Sequence, residues 1–268
     1  MIDSAWAAWV RLRRDGPLSL LSAASTEARA AVPFRYRIRI RTRLQRLRWG
    51  DAAVDDPLCV FSVDPSRIRH ESQRFERASH IGTVRGGDWD RDRAEWGGTT
   101  FEGLKQRFVD GRRWSETALY RHAKRRIETA GYYHGYTDFE TFRSERLPYL
   151  DRLFERIRED GYRTQAELSG DGRDRIRHPS APDHHVRTHE IGCNIGRDGG
   201  LLFNSGTHRL AIAKLLDLDA VPIQVIVRHE GWMERRRAVA TTDDPEDALA
   251  DWDAEPAHFD LQELSEEV

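Results

Sequence analysis

Residues 197–228, RDGGLLFNSGTHRLAIAKLLDLDAVPIQVIVR, limit the possible folds more than any other part of the chain. Asp198-Gly199 stands between two apolar runs, and such a pair supplies the positive φ that a tight hairpin needs. Residues 186–197 and 201–204 are therefore predicted to be paired strands. Leucine and alanine recur at helical spacing over 207–216. Residues 221–228 read as a strand, with Pro222 near its start, where a missing N–H is tolerated. The order is hairpin, loop, helix, strand.

Gly206, Thr207, His208 and Arg209 fall where that loop becomes the helix. Glycine lets the backbone turn and approach a ligand closely. The first amides of a helix have no intrahelical partner, and the helix dipole is positive there. A histidine and an arginine at the same end add donors, and together these groups suit an anion, most often a phosphate. The alternative is a helix capped by Ser205 or Thr207, with Arg209 paired to an acid and His208 packed in the core.

The remainder of the 268 residues divides into regions around this unit. A basic segment is expected at 1–57, and a first strand with an acidic, glycine-rich loop at 58–100. A helical insertion is expected at 101–169, the hairpin–loop–helix–strand unit at 186–240, and an acidic tail at 241–268. Within the first region, 34–49 alternates arginine with Tyr36, Ile38 and Ile40 at strand period. It then drifts to helical spacing at Leu44 and Leu47, so both elements stay open. Residues 50–57 read as a linker, 58–69 as a buried strand closed by Asp64-Pro65, and 82–90 as a loop. Helices are predicted at 115–130, with Ser115 as N-cap and Gly131 as stop, and at 138–160, ended by Gly161. Thr164 and Glu167 match a capping box. Beyond about residue 243 the low apolar content predicts disorder or loose docking.

Charged residues make up 33% of the chain, and no run approaches the roughly 18 apolar residues needed to cross a bilayer. With no secretory leader pattern either, a cytoplasmic location is expected. Cys59 and Cys193 lie far apart, which argues against a disulfide framework or a thiolate zinc site. Only three of the 43 basic residues are lysine: Lys105, Lys124 and Lys214. Charge is also segregated along the chain. Residues 1–50 hold eleven arginines, whereas 241–268 holds eleven acids and no lysine or arginine. The basic end could track a phosphate backbone or anionic lipid, the two ends could dock on each other, or both could be solvated.

The DG hairpin, the Gly206-Thr207-His208-Arg209 loop, the helix after it and the Val221-Pro222-Ile223 strand together resemble the ParB/sulfiredoxin superfamily. Val63-Asp64-Pro65-Ser66-Arg67-Ile68 is similar to the strand that begins that domain in many members. The resemblance implies an α+β fold, a ParB/sulfiredoxin-like small mixed sheet with helices, here carrying the 101–169 insertion. It also implies that the Gly-x-His-Arg loop binds a nucleotide phosphate. Sulfiredoxins have a catalytic cysteine where this chain has Thr207, so sulfinic-acid reduction is not expected. The chromosome-partitioning members carry Gly-Glu-Arg-Arg and a following helix-turn-helix, which this chain lacks, and that puts CTP-driven clamping in doubt.

The resulting expectation is a nucleotide-binding protein that takes ATP, ADP or CTP and transfers or hydrolyses a phosphoryl group, with an unknown small-molecule acceptor. Gly206, Thr207, His208 and Arg209 would hold phosphate, with His208 also a catalytic candidate. Asp88 and Asp90, flanking Trp89, could hold Mg²⁺ or act as a general base, and Arg85 could add a phosphate contact. The bland reading of these acids is a turn with solvated carboxylates and a buried tryptophan. His178, His184, His185 and His189 match no standard metal spacing and read as a solvated loop. The aromatic residues Phe108, Trp114, Tyr120, Tyr132, Tyr133 and Tyr136 could line a pocket or build core. A non-catalytic nucleic-acid-associated protein using the N-terminal arginines is the alternative, with nuclease activity a weaker one.

Overall fold

The structure is a computed structural model in which residues 34–170, 189–242, 244, 258–262 and 264 are described. A mixed open sheet organises the chain. Its strands are β1 (Phe61–Val63), β2 (His70–Glu71), β3 (Thr83–Arg85), β4 (Ala94–Glu95), β5 (Ile191–Ile195), β6 (Leu201–Ser205) and β7 (Val221–His229). They lie in the order β1-β7-β5-β6-β2-β4, with β3 also pairing β7. The β5–β6 hairpin closes through Asp198-Gly199 as the sequence predicts, with Ile195 opposite Leu201. β5 then runs parallel to β7, and β1 pairs antiparallel with β7 through Val63 and Val221. The Val63-Asp64-Pro65 segment and the 197–228 stretch thus share one sheet.

β7 is buried on both faces, which explains why its sequence reads as a nearly continuous apolar run. Val221, Ile223 and Val225 join the main core, while Ile226 and Val227 join a second cluster with Ile38, Phe75 and Ile81. Helix α1 (Phe34–Trp49) supplies Ile38 to that second cluster, and Phe75 and Ile81 flank the short α2 (Arg77–His80). Helices α3 (Gly98–Phe108), α4 (Ala118–Ala130), α5 (Leu147–Asp160), α6 (Gln165–Gly170) and α7 (Thr207–Leu215) lie on the main-core side. α3 and α4 cross closely at Gly103, where a Cβ would come within 2.3 Å of the Leu119 Cβ. Helix α8 (Glu230–Ala240) follows β7 directly, and α9 (Phe259–Gln262) returns onto it.

Several expectations are corrected. The 34–49 segment is helical: Ile38 and Trp49 face the protein, and the Arg–Ile alternation does not correspond to a sheet pairing. The 50–57 linker begins with a 3-10 turn and contributes buried Ala52, Ala53 and Val54. Of 58–69 only Phe61–Val63 is strand, because Asp64 accepts from the Ser66 amide and opens a 3-10 turn. The 82–90 loop contains β3. Thr117, not Ser115, caps α4, with its hydroxyl accepting from the Tyr120 amide. Gly131 ends α4 with φ +77° as predicted, and Thr164 and Glu167 form their capping box. The 138–160 helix is interrupted by a π turn at Phe142–Arg146.

Within the acidic tail, the described residues 258–262 make specific contacts, and most of the remainder lies outside the described residues. Asp260 is fully buried, accepts from Arg228 and from Trp232 Nε1 at 2.8 Å, and pairs with Arg236 at 3.2 Å. Burial opposes the ionised form, but Arg228 and Arg236 hold this carboxyl far below the ordinary range.

Candidate anion-binding site

Gly206 links β6 to α7 with φ +97°, and a Cβ there would sit 3.1 Å from the Ile191 Cα. Only glycine takes this close, left-handed backbone without strain. Among the described residues no side chain caps α7. The Ser205 hydroxyl, a candidate cap from sequence, instead accepts from Arg77 Nη2 at 2.8 Å. Among the described residues the positive end of α7 therefore has no side-chain acceptor at its first amides.

Arg209 and His208 both face inward. Arg209 donates to the His189 carbonyl and, at 3.4 Å, to Glu190 Oε2. The Glu190 side chain is buried and also accepts from the Gln165 amide at 2.5 Å. Burial raises the Glu190 carboxyl above its ordinary value, and Arg209, the Gln165 amide and Arg77 offset this only in part. Arg77 donates to Gln224 Oε1 at 2.9 Å and to the Glu190 carbonyl at 2.6 Å. Burial, then the nearby Arg209, lowers Arg77 to about 10, which still leaves it charged at neutral pH. Arg146 donates to His208 Nδ1 at 3.1 Å and stacks over the Tyr149 ring. That bond assigns Nδ1 as acceptor and leaves the ring proton on Nε2. Burial, then Arg146 and His134, holds His208 well below 6.5, so the imidazole is neutral. His134, with φ +49°, packs its ring 5.3 Å from that of His208.

Arg77 and Arg209 thus flank one buried carboxylate, Glu190, while Arg146 stands on the other side of the loop against His208. One polar atom in this region, Arg146 Nε, is buried without a hydrogen-bond partner, and the Tyr162 hydroxyl is buried beside Arg209. Burial pushes Tyr162 up to about 12. Beside it a small pocket of about 20 Å³ is lined by Arg156, Tyr162, Arg163, Gln165, Leu168 and Arg209. Glu167, on the same short helix as Gln165, is the other acid acting on Glu190, and it is engaged by Thr164. The arrangement can neutralise an anion and cannot, through a neutral and tethered His208, easily take up a proton.

Asp88 and Asp90 do not join this site. Gly206 packs on Ile191, at the start of β5, whereas Asp90 accepts from Arg197, just beyond its end. β5 itself spans four residue steps, about 13 Å, from Ile191 to Ile195, and Arg197 lies two residues farther on. Asp90 is fully buried and takes the Arg197 amide at 2.8 Å, Nη2 at 2.7 Å and Nε at 3.0 Å. Burial works against its ionised form, yet these bonds and nearby His229 bring the Asp90 carboxyl down to about 2. Asp88 is exposed and pairs with Arg91 and Arg197 at 3.0 and 2.9 Å. With Asp90 filled by one arginine and Asp88 shared between two, the pair does not fit a magnesium site in this arrangement. Among the described residues no three His, Cys, Asp or Glu are grouped to hold a metal. Arg85 lies over the Phe75 ring, beside Trp89.

The remaining candidates separate by place. His178, His184 and His185 lie outside the described residues, and His189 contributes its carbonyl to Arg209. Phe108 stacks on Phe154 at 4.0 Å, Trp114 donates to Asp151, and Tyr120 packs on Phe139, so these three build core. Tyr133 and Tyr136 form a bridge around His134 and pack on Phe142, while Tyr132 is exposed. Arg77, Arg146, Tyr162 and Glu190 were not singled out from sequence. Glu190, an acid directly before an apolar strand, was the one readable signal among them. No family model, curated protein or solved structure matches the chain, so its assignment rests on the geometry of its own residues.

Proposed function

We propose that the chain binds a nucleoside di- or triphosphate, ATP, ADP or CTP, at the N-terminus of α7, within a ParB/sulfiredoxin-like domain. The observation that carries this reading is the buried Nε of Arg146, which has no hydrogen-bond partner, close to the Gly206–Arg209 loop where Arg77 and Arg209 meet Glu190. Buried positive charge with an unmet donor favours an arriving phosphate, which would take bonds from guanidinium groups and from the first amides of the helix. The order of β5, β6, Gly206–Arg209, α7 and β7, joined in one sheet to β1, supports the domain reading. α5 and the π turn before it bring Arg146 and Tyr149 over the loop, as a cover on the bound ligand would.

Phosphoryl transfer to a small acceptor would run here on positioning and charge neutralisation by arginine. Asp88 and Asp90 have no part in it, and His208 would serve as an Nε2–H donor. A thermal-shift panel of ATP, ADP, CTP and GTP, with and without Mg²⁺, tests the binding. Saturation at about 100 times Kd adds about 2.7 kcal/mol of stability, which at this size raises Tm by roughly 5 °C or more. Arg146→Gln should remove that shift while leaving the ligand-free Tm within a few degrees. No shift with any of the four nucleotides rejects the reading.

A further inference from the structure

α1 carries seven arginines and no acid over Phe34–Trp49. Its inner face is fixed to the protein. Ile38 and Trp49 are buried, Arg41 donates to the Ser79 carbonyl at 2.8 Å, and Arg237 donates to the Arg48 carbonyl at 2.8 Å. The opposite face is apolar: Tyr36, Ile40, Leu44 and Leu47 are 43%, 54%, 59% and 85% exposed. At 3.6 residues per turn these four fall within an arc of about 80°. Arginines border the stripe on both sides, with Arg37 and Arg48 on one flank and Arg39 and Arg43 on the other. Arg39 and Arg43 have no carboxylate partner among the described residues. The acids that follow, Asp51, Asp55 and Asp56, lie past the helix, and Asp55 pairs with Arg46.

We infer that this outer face of α1 docks on an anionic lipid surface. An apolar stripe bordered by arginines is the pattern of a helix lying in the plane of a bilayer interface. Leucine and isoleucine would enter the acyl boundary while Arg39 and Arg43 meet lipid phosphates. Charge selects this occupant over the others. A second copy would bring arginine rows against arginine rows. A nucleic-acid backbone would want arginine at the centre of the contact, where this helix presents Ile40 and Leu44. No helix of the described residues is long and apolar enough to cross a membrane, so the contact is with the surface alone.

Co-sedimentation of the full chain with vesicles tests the inference, comparing phosphatidylcholine alone with mixtures containing about 30% phosphatidylserine. Wild type should bind the anionic vesicles at least tenfold more tightly than the neutral ones and lose that preference at high salt. Leu44→Asp/Leu47→Asp should weaken binding at least tenfold, and Arg39→Gln/Arg43→Gln several-fold. Both pairs are exposed, and unchanged melting curves would show that the fold is kept. Equal retention of the Leu44→Asp/Leu47→Asp variant overturns the inference, as does no retention of wild type. Retention on duplex DNA but not on vesicles would assign the arginines to nucleic acid and overturn it. So would a dimer that Leu44→Asp/Leu47→Asp dissolves in the absence of vesicle binding.

Discussion

The two ends of β5 handle buried charge in opposite ways. Past its C-terminal end, Asp88, Asp90 and Asp198 meet Arg91, Arg93 and Arg197, and each carboxylate is paired. At its N-terminal end, Arg77 and Arg209 meet Glu190 and Arg146 meets His208, at the start of a helix whose N-cap is a glycine. Balanced charge stitches β3, the acidic turn and the hairpin together. Arginines that meet a single acid among the described residues are, on our proposal, the ones that take a ligand. Counting partners, more than counting acids, separates a structural cluster from a binding site.

The largest effect that would break this comparison is expected at the balanced end. Asp90→Asn leaves Arg197 without its buried counter-charge and should cost about 3 kcal/mol in chemical denaturation, with nucleotide affinity unchanged in the folded protein. A variant that loses affinity but not stability would place Asp90 in the binding site after all. The same pair sets a pH dependence. The folded carboxyl lies near 2, below the ordinary 3.8, so its contribution is complete above pH 3.8. It is lost as pH falls through about 2, and acid titration of the melting temperature should show this fall in wild type and a flatter one in Asp90→Asn.

At the other end, Gly206→Ala forces a side chain into the left-handed backbone against Ile191 and should cost about 1–2 kcal/mol. Its binding loss should exceed its stability loss if the loop cradles phosphate, which calorimetry on the folded variant would read. The smallest effect sharpens the comparison most. Glu190→Gln removes a carboxylate that competes for Arg209 and Arg77, and should tighten nucleotide binding about three- to tenfold. Weaker binding would mean that Glu190 belongs to the ligand contacts.

Local chemistry made much of the fold legible. The Asp198-Gly199 turn, the α7 and β7 spans, the Gly131 stop and the Thr164–Glu167 capping box each depend on residues within a few positions. The α1 segment misleads because an Arg–Ile alternation mimics strand period, and only packing of Ile38 and Trp49 decides for helix. Gly206–Arg209 could be located from sequence, but its charge balance could not. Arg146 arrives from a π turn whose extra residue leaves no mark in the periodicity, and Arg77 comes from a helix of four residues. Asp88 and Asp90 looked available because Arg197, more than a hundred positions away, is the residue that fills Asp90. Asp260 was hidden in an acidic tail whose composition gave no sign that one carboxylate is buried.

A nitrogen–proton correlation NMR titration with ADP tests the central claim most directly, since it reads both ends of β5 at once. The account predicts that the amides of Gly206, Thr207, His208 and Arg209 shift and saturate together, while those of Gly87, Asp90 and Arg197 stay fixed. Shifts confined to the Gly87–Arg197 end, or none at Gly206–Arg209 at millimolar nucleotide, would contradict it.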